Sequence, residues 1–260
     1  MNAIHGGKAK HAKIDAHKLA VLRRGGMLPQ ASVYPAEMRA TRDLLRRRMS
    51  LMRQRAALLA HVQHTNRQYH LPEIGKKLAY KANRTGMADR FPEPSVHKTV
   101  EVDLRLIDDD DSRLQDLELY IVKTAKHHDI QTFSRLRPIP GVGQILALVL
   151  LYEIHEITRF PRVQEVVSYA RLGNCPRESA GKRSGTGGHK IGNVPLQWVF
   201  SEAAVLFLRN HPLGQAPLTT LARQHGKAKA LSILAHQLGR AVYFLLTRHE
   251  AFDLHQFLAT

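Results

Sequence analysis

The 260-residue chain is 43% hydrophobic, enough for one large domain or two modest ones with real cores. It sets 39 Lys+Arg against 22 Asp+Glu, a formal charge of +17 with 16 further histidines, and so favours a polyanionic partner, nucleic acid first among them. A single cysteine, Cys175, excludes an internal disulfide and a thiolate zinc cluster, and the longest apolar run, 145–152, is too short to span a membrane.

The first residues, MNAIHGGKAKHAK, are cationic but lead into no apolar run, so they do not read as a secretory signal and a cytoplasmic protein is expected. Residues 13–26 read as a short helix with Leu19 and Leu22 on one face, stopped by Gly25 and Gly26. Residues 27–35 form an extended connector between prolines, with Val33 and Tyr34 the best strand candidate in the chain. From Ala36 to about Tyr69 there is neither proline nor glycine. Leu44/Leu45, Leu51/Met52 and Leu58/Leu59 recur seven apart, a heptad-like seam with Arg46, Arg47 and Arg48 expected to face elsewhere.

Residues 70–98 carry prolines, glycines and mixed polarity, and read as a connection with at most short helices. A second long helix runs from about Thr99 to His128, where Val100, Ile107, Leu114 and Ile121 again recur every seven residues. Two matched seams predict an antiparallel coiled-coil hairpin, or a dimer built from such helices. Asp108, Asp109, Asp110 and Asp111 fan about 100° apart around this helix, so they cannot converge on one metal ion. They read as a solvated acidic face that answers the basic triplet. The histidines of 126–129, KHHD, also lack ligand spacing to a partner.

Residues 131–260 change character: an apolar run at 139–154, a glycine-rich stretch, then apolar helices near 195–209, 216–224 and 228–248. The whole is predicted to be mainly α. PIPGVG (138–143), followed at once by an apolar helix, has the pattern of a helix-hairpin-helix turn. There Gly141 and Gly143 would expose backbone N–H groups to a DNA phosphate without reading a base.

The stretch CPRESAGKRSGTGGHKIGN (175–193) mixes glycines, serines and cations. It is not a Walker A loop: Pro176 stands where the first glycine belongs, and Arg183 follows Gly181-Lys182 where a hydroxyl is required. Two readings of the residues stay open here, a flexible basic surface loop and a phosphate site. In the second, Ser179 is the nucleophile, with Arg177, Lys182, Arg183, His189 and Lys190 offsetting the charge that develops on phosphorus.

In order, the chain carries PGVG, an apolar helix, Arg159-Phe160, YARLG (169–173), PRESAG (176–181), KIGN (190–193) and an alanine-bearing helix. This succession resembles the C-terminal domain of the insertion-sequence transposases with a DEDD RuvC-like nuclease domain, the serine-assisted, bridge-RNA-guided recombinases. The resemblance covers essentially the whole chain: residues 1–33 resemble the last acidic helix of the RuvC-like α/β part, 34–130 the coiled-coil hairpin, and 131–260 the serine-bearing domain. It implies that Ser179 is the catalytic serine, because Ser179 lies thirteen residues before the Gly-Asn at 192–193, whereas Ser184 lies eight before it. It also implies DNA as partner (transposon ends and target), a structured guide RNA, a homo-oligomer through the coiled coil, no membrane, a place at the bacterial nucleoid, and Mg²⁺ as cofactor.

The departure lies in the acids. The family pattern needs four, and only Asp15 matches, because Ala12 stands where its partner belongs. A lone carboxylate does not hold two magnesium ions against water, so Asp15 is a remnant, no metal site is expected, and the chain reads as N-terminally truncated. The expected function is DNA strand cleavage and rejoining through a serine, impaired by the missing acids. The alternative is a non-catalytic remnant that binds transposon ends or guide RNA, or dimerises with a full-length relative.

Overall fold

The computed structural model describes residues 11–27, 33–125, 129–173, 175–179, 182–187, 191–210 and 215–258. The chain divides into two compact units, Met1–Glu37 and Met38–Thr260.

The first unit is built on α1 (Ala12–Arg24). The ring nitrogen Nδ1 of His11 accepts the Lys13 N–H at 3.2 Å and caps its start. Its end is a Schellman turn: Gly26 takes φ 65°, the Met27 N–H reaches the Leu22 carbonyl at 2.9 Å, and the Gly26 N–H reaches Arg23 at 3.2 Å. The Gly25-Gly26 stop therefore has a geometric cause. No residue of α1 is buried. Val33 and Tyr34 pair with no strand, contrary to expectation, because nothing in the described residues offers their backbone a ladder partner.

The second unit begins within α2 (Ala36–Gln68) and continues to α3 (Pro94–Ala125), helices of 33 and 32 residues. Their direction is fixed by two ion pairs and a His–Asp hydrogen bond. Arg48 Nη2 stands 2.5 Å from Glu118 Oε1, Arg55 Nε 2.5 Å from Asp111 Oδ1, and His61 Nδ1 2.5 Å from Asp103 Oδ2. Numbers rise along one helix as they fall along the other, so the helices run antiparallel. Of the predicted seam, Leu45 and Ile121 lie in the main core and Val100 in a smaller one, beside Val62, which the spacing did not single out.

The smaller core is where the connection is folded. Leu78, Met87 and Phe91 close over Val62 and Val100, with single 3₁₀ turns at Lys81–Asn83 and Ala88–Arg90, so the connection has only short helices, as expected. The four aspartates do fan apart, but their partners differ from those expected. Asp111 pairs with Arg55 and with buried Arg84 of the connection, Asp108 with Arg84 at 2.8 Å, and Asp109 with Arg113 one turn on. The triplet 46–48 does not face away as a group either. Arg48 takes Glu118 and stands 6.0 Å from the Trp198 ring, Arg46 reaches a buried glutamate, and Arg47 is left exposed to solvent. A helix carrying this much charge beside an apolar domain uses its arginines as tethers.

The rest of the unit is a helical cluster: α4 (Ile130–Leu136), α5 (Gln144–Ile154), α6 (Val163–Tyr169), α7 (Val194–Asn210), α8 (Gln215–His225), α9 (Lys227–Arg248) and α10 (Leu254–Leu258). α5 reads QILALVLLYEI and is buried from Leu146 to Ile154, which marks it as the central helix. α7 packs on α5, and α9 packs across α6, α7 and α8. The protein is mainly α, with one two-stranded sheet among the described residues. No helix among them is long and apolar enough to cross a membrane.

Candidate functional site

The glycine-rich stretch is not the loop its composition suggested. Cys175–Ser179 (β1) and Lys182–Gly187 (β2) pair antiparallel. Ser179 is opposite Lys182, Glu178 opposite Arg183, Pro176 opposite Thr186 and Cys175 opposite Gly187. The register shifts between Pro176 and Glu178, so Ser184 and Gly185 together oppose Arg177, a bulge at which glycine accommodates the extra residue. Ser179 and Lys182 are the last pair before the turn. The backbone thus brings together four of the expected site residues: Arg177, Ser179, Lys182 and Arg183. His189 and Lys190 lie outside the described residues, as do 126–128 of the KHHD segment.

Both ends of the hairpin are fastened. On the way out, α6 ends in a second Schellman turn: Arg171 takes φ 58°, and the Leu172 N–H reaches the Val167 carbonyl at 2.9 Å. Leu172 then seats against α9, where a Cβ on Gly239 would stand 2.7 Å from its Cδ1. On the way back, Gly192 at φ 114° lies so close to α6 that a Cβ there would stand 2.7 Å from the Tyr169 carbonyl oxygen. The next residue, Asn193, donates its backbone N–H to that oxygen at 2.6 Å.

Asn193 is 6% exposed and uses every polar atom it has. Oδ1 accepts the Leu196 N–H at 2.9 Å and so caps α7. Nδ2 donates to Glu153 Oε2 at 2.8 Å and to the Tyr169 hydroxyl at 3.1 Å. Glu153, whose side chain is 1% exposed at the C-terminal end of α5, is in turn gripped by Arg46 of α2, Nε to Oε1 at 2.7 Å and Nη2 to Oε2 at 2.9 Å. The hydrogen bond to Glu153 raises the Arg46 pKa against the opposing effect of burial. The Tyr169 ring is stacked by Arg159 at 5.2 Å. This network was missed in the sequence. Its signals were a carboxylate inside an otherwise apolar run and an asparagine just before an apolar helix.

The two glycines of PIPGVG part company. Gly141, at φ 84°, is wedged on α7: a Cβ would meet the Ala203 carbonyl oxygen at 2.3 Å and the Phe207 nitrogen at 2.6 Å. Its smallness lets two backbones touch, a packing need that the sequence pattern did not anticipate. Gly143 precedes α5 in extended backbone, exposed, with open space about its Cα. Asp15 belongs to the first unit, in the first turn of α1. Among the described residues no three His, Cys, Asp or Glu side chains come together to hold a metal ion. Asp15 alone does not supply the convergent oxygens that Mg²⁺ demands.

Two comparisons bear on this arrangement. The chain is 28% identical over 149 residues to the transposase for insertion sequence element IS1111A of Coxiella burnetii (strain RSA 493 / Nine Mile phase I). The match takes in 55% of this chain and 40% of that protein, so the chain spans less than half of its relative's length. Residues 133–218, from within α4 across the hairpin into α8, match the model of the Transposase IS116/IS110/IS902 family.

Proposed function

We propose that the chain acts on DNA as a recombinase of an insertion sequence, with Ser179 as nucleophile. The observation that supports this most is the hairpin register. It sets Ser179 opposite Lys182, with Arg183 next along, on a basic strand pair whose base is fastened in the helical core. Directly opposed residues on an antiparallel pair are close neighbours, so a phosphate taken up by the cation is within reach of the serine.

In the reaction the Ser179 Oγ attacks phosphorus and its proton passes to solvent. The Oγ–P bond forms, the bond from phosphorus to one strand oxygen breaks, and that oxygen takes up a proton as a strand hydroxyl. Attack by a hydroxyl of another strand end then breaks the Oγ–P bond and restores the serine, so one phosphodiester is exchanged for another without an outside energy source. Lys182, Arg183 and Arg177 offset the charge of the five-coordinate phosphorus. Transposon ends and target DNA are the substrates, a structured guide RNA chooses them, and α2 and α3 form the coiled coil through which copies associate. No step is routed through Mg²⁺.

The experiment is to incubate the protein with end-labelled DNA and look for a denaturant-resistant protein–DNA adduct. Ser179→Ala should abolish it and Ser184→Ala should keep it; loss with Ser184→Ala alone overturns the assignment. A second reading, binding without chemistry, is favoured by the excess of 39 Lys+Arg over 22 Asp+Glu, which suits a polyanion whether or not the serine reacts. It predicts retained DNA, no adduct, and no effect of Ser179→Ala on binding.

A further inference from the structure

The polar network under the hairpin has more connections than holding a chain in place requires. We infer that Asn193 positions the Ser179 hairpin for reaction, and that Arg46, acting through Glu153, sets Asn193 from the long helix α2. The inference rests on the reading of Ser179 given above.

The path is continuous and short. Arg46 holds both carboxylate oxygens of Glu153, at 2.7 and 2.9 Å, and one of those oxygens also takes the Asn193 amide at 2.8 Å. Asn193 closes the hairpin's base on Tyr169 through backbone N–H and side chain alike, at 2.6 and 3.1 Å. Each member has a single arrangement that satisfies it. The Asn193 Oδ1 caps α7, so its amide must point at Glu153 and Tyr169. Glu153 is buried, so its charge depends on the guanidinium that meets it.

Arg46 is the member most open to solvent, its side chain 43% exposed, and it belongs to a different layer of the fold. A displacement of α2 that pulls Arg46 away leaves a buried carboxylate short of donors. Asn193 is then the remaining donor to Glu153, and the Tyr169–Asn193 closure must readjust. A partner engaging the exposed face of α2, where Arg47 lies beside Arg46, would therefore be felt at the hairpin base. The helix and the hairpin are coupled by side-chain geometry rather than by a flexible linker.

The test compares Arg46→Met and Arg46→Lys with wild type in three readouts on the full chain: DNA affinity, adduct yield at Ser179, and amide hydrogen exchange. For Arg46→Met the expected result is affinity within about two-fold, adduct yield down at least ten-fold, and faster exchange confined to residues 175–187. Arg46→Lys, which keeps the charge but not the fork, should recover part of both losses. Exchange in α9 rising as much as in the hairpin, or no change in the hairpin at all, overturns the inference. Should Arg46→Met not fold, Tyr169→Phe removes one acceptor of Asn193 alone and is read in the same way. If wild type forms no serine adduct, the reading of Ser179 fails, while the exchange measurement still decides the coupling.

Discussion

Arg46 and Glu153, 107 residues apart in sequence, meet in a two-point ion pair whose acid is 1% exposed and whose base is 43% exposed. The asymmetry decides what each substitution does. Arg46→Ala leaves a buried carboxylate with Asn193 as its remaining donor, whereas Glu153→Gln leaves a guanidinium that water can reach. Removing one partner of a fully buried pair costs about 3–5 kcal/mol, and solvent access on the Arg46 side brings the expectation down to about 2 kcal/mol. Glu153→Gln should cost about 1 kcal/mol, because the amide still offers an acceptor. Chemical denaturation of both variants checks the order; an equal loss would mean that the pair's burial does not govern its energetics.

Gly141 and Gly143 are two residues apart and should respond in opposite ways. A Cβ at 141 would overlap the backbone of α7 in a conformation that already disfavours side chains, so Gly141→Ala should lose about 3 kcal/mol or more. Gly143→Ala meets open space and should lose only about 0.5 kcal/mol, the difference between glycine and alanine at a helix N-cap, as read by thermal unfolding. If the turn before α5 grips a phosphate through its backbone, Gly143→Ala weakens DNA binding with stability intact. Binding unchanged by Gly143→Ala would remove that turn from the interface.

The middle of the helical pair carries an acid-sensitive joint. Burial pushes the Asp111 carboxyl up, but its hydrogen bonds from Arg55 and Arg84 outweigh that and leave its pKa below the ordinary value. A carboxyl with a depressed folded-state pKa adds stability above the unfolded pKa of about 3.9, and that stability is lost as pH falls through the folded value. The stability difference between wild type and Asp111→Asn should thus hold steady from neutral pH down to about 5, and shrink below about 4. A difference that stays constant through that lower range would show that the Arg55 and Arg84 contacts do not bias the titration.

How far the sequence could be read depended on whether a signal was local. The long helices α2 and α3, the Gly25-Gly26 stop and the apolar helices all follow from spacing along one element, and all were legible. The hairpin was not. Its strands contain Pro176, Gly185 and Gly187, residues that composition assigns to loops, and their pairing is nearly all that marks them as strands. The partners of Asp111 and Arg46 come from segments 27 and more residues away, so single-element periodicity could not name them. Gly141 shows the same limit from another side: a glycine needed for a turn and one needed for a close helix approach look alike until the neighbouring helix is in place.

The hairpin's cations give the most direct test of a nucleic-acid partner. Binding to duplex DNA releases about 0.9 counterions per neutralised phosphate, so each lost contact makes the plot of log affinity against log salt shallower by about one unit. Lys182 and Arg183 follow directly after the hairpin turn and should each meet a phosphate when the pair opposite Ser179 and Glu178 engages a strand. The double variant Lys182→Ala/Arg183→Ala should therefore flatten the slope by about two units and weaken binding similarly on unrelated sequences, since phosphate contacts carry no base information. Titrations at several salt concentrations measure this directly. An unchanged slope would move the phosphate contacts elsewhere on the basic surface, and Ser179 would lose the neighbours that make it a candidate nucleophile.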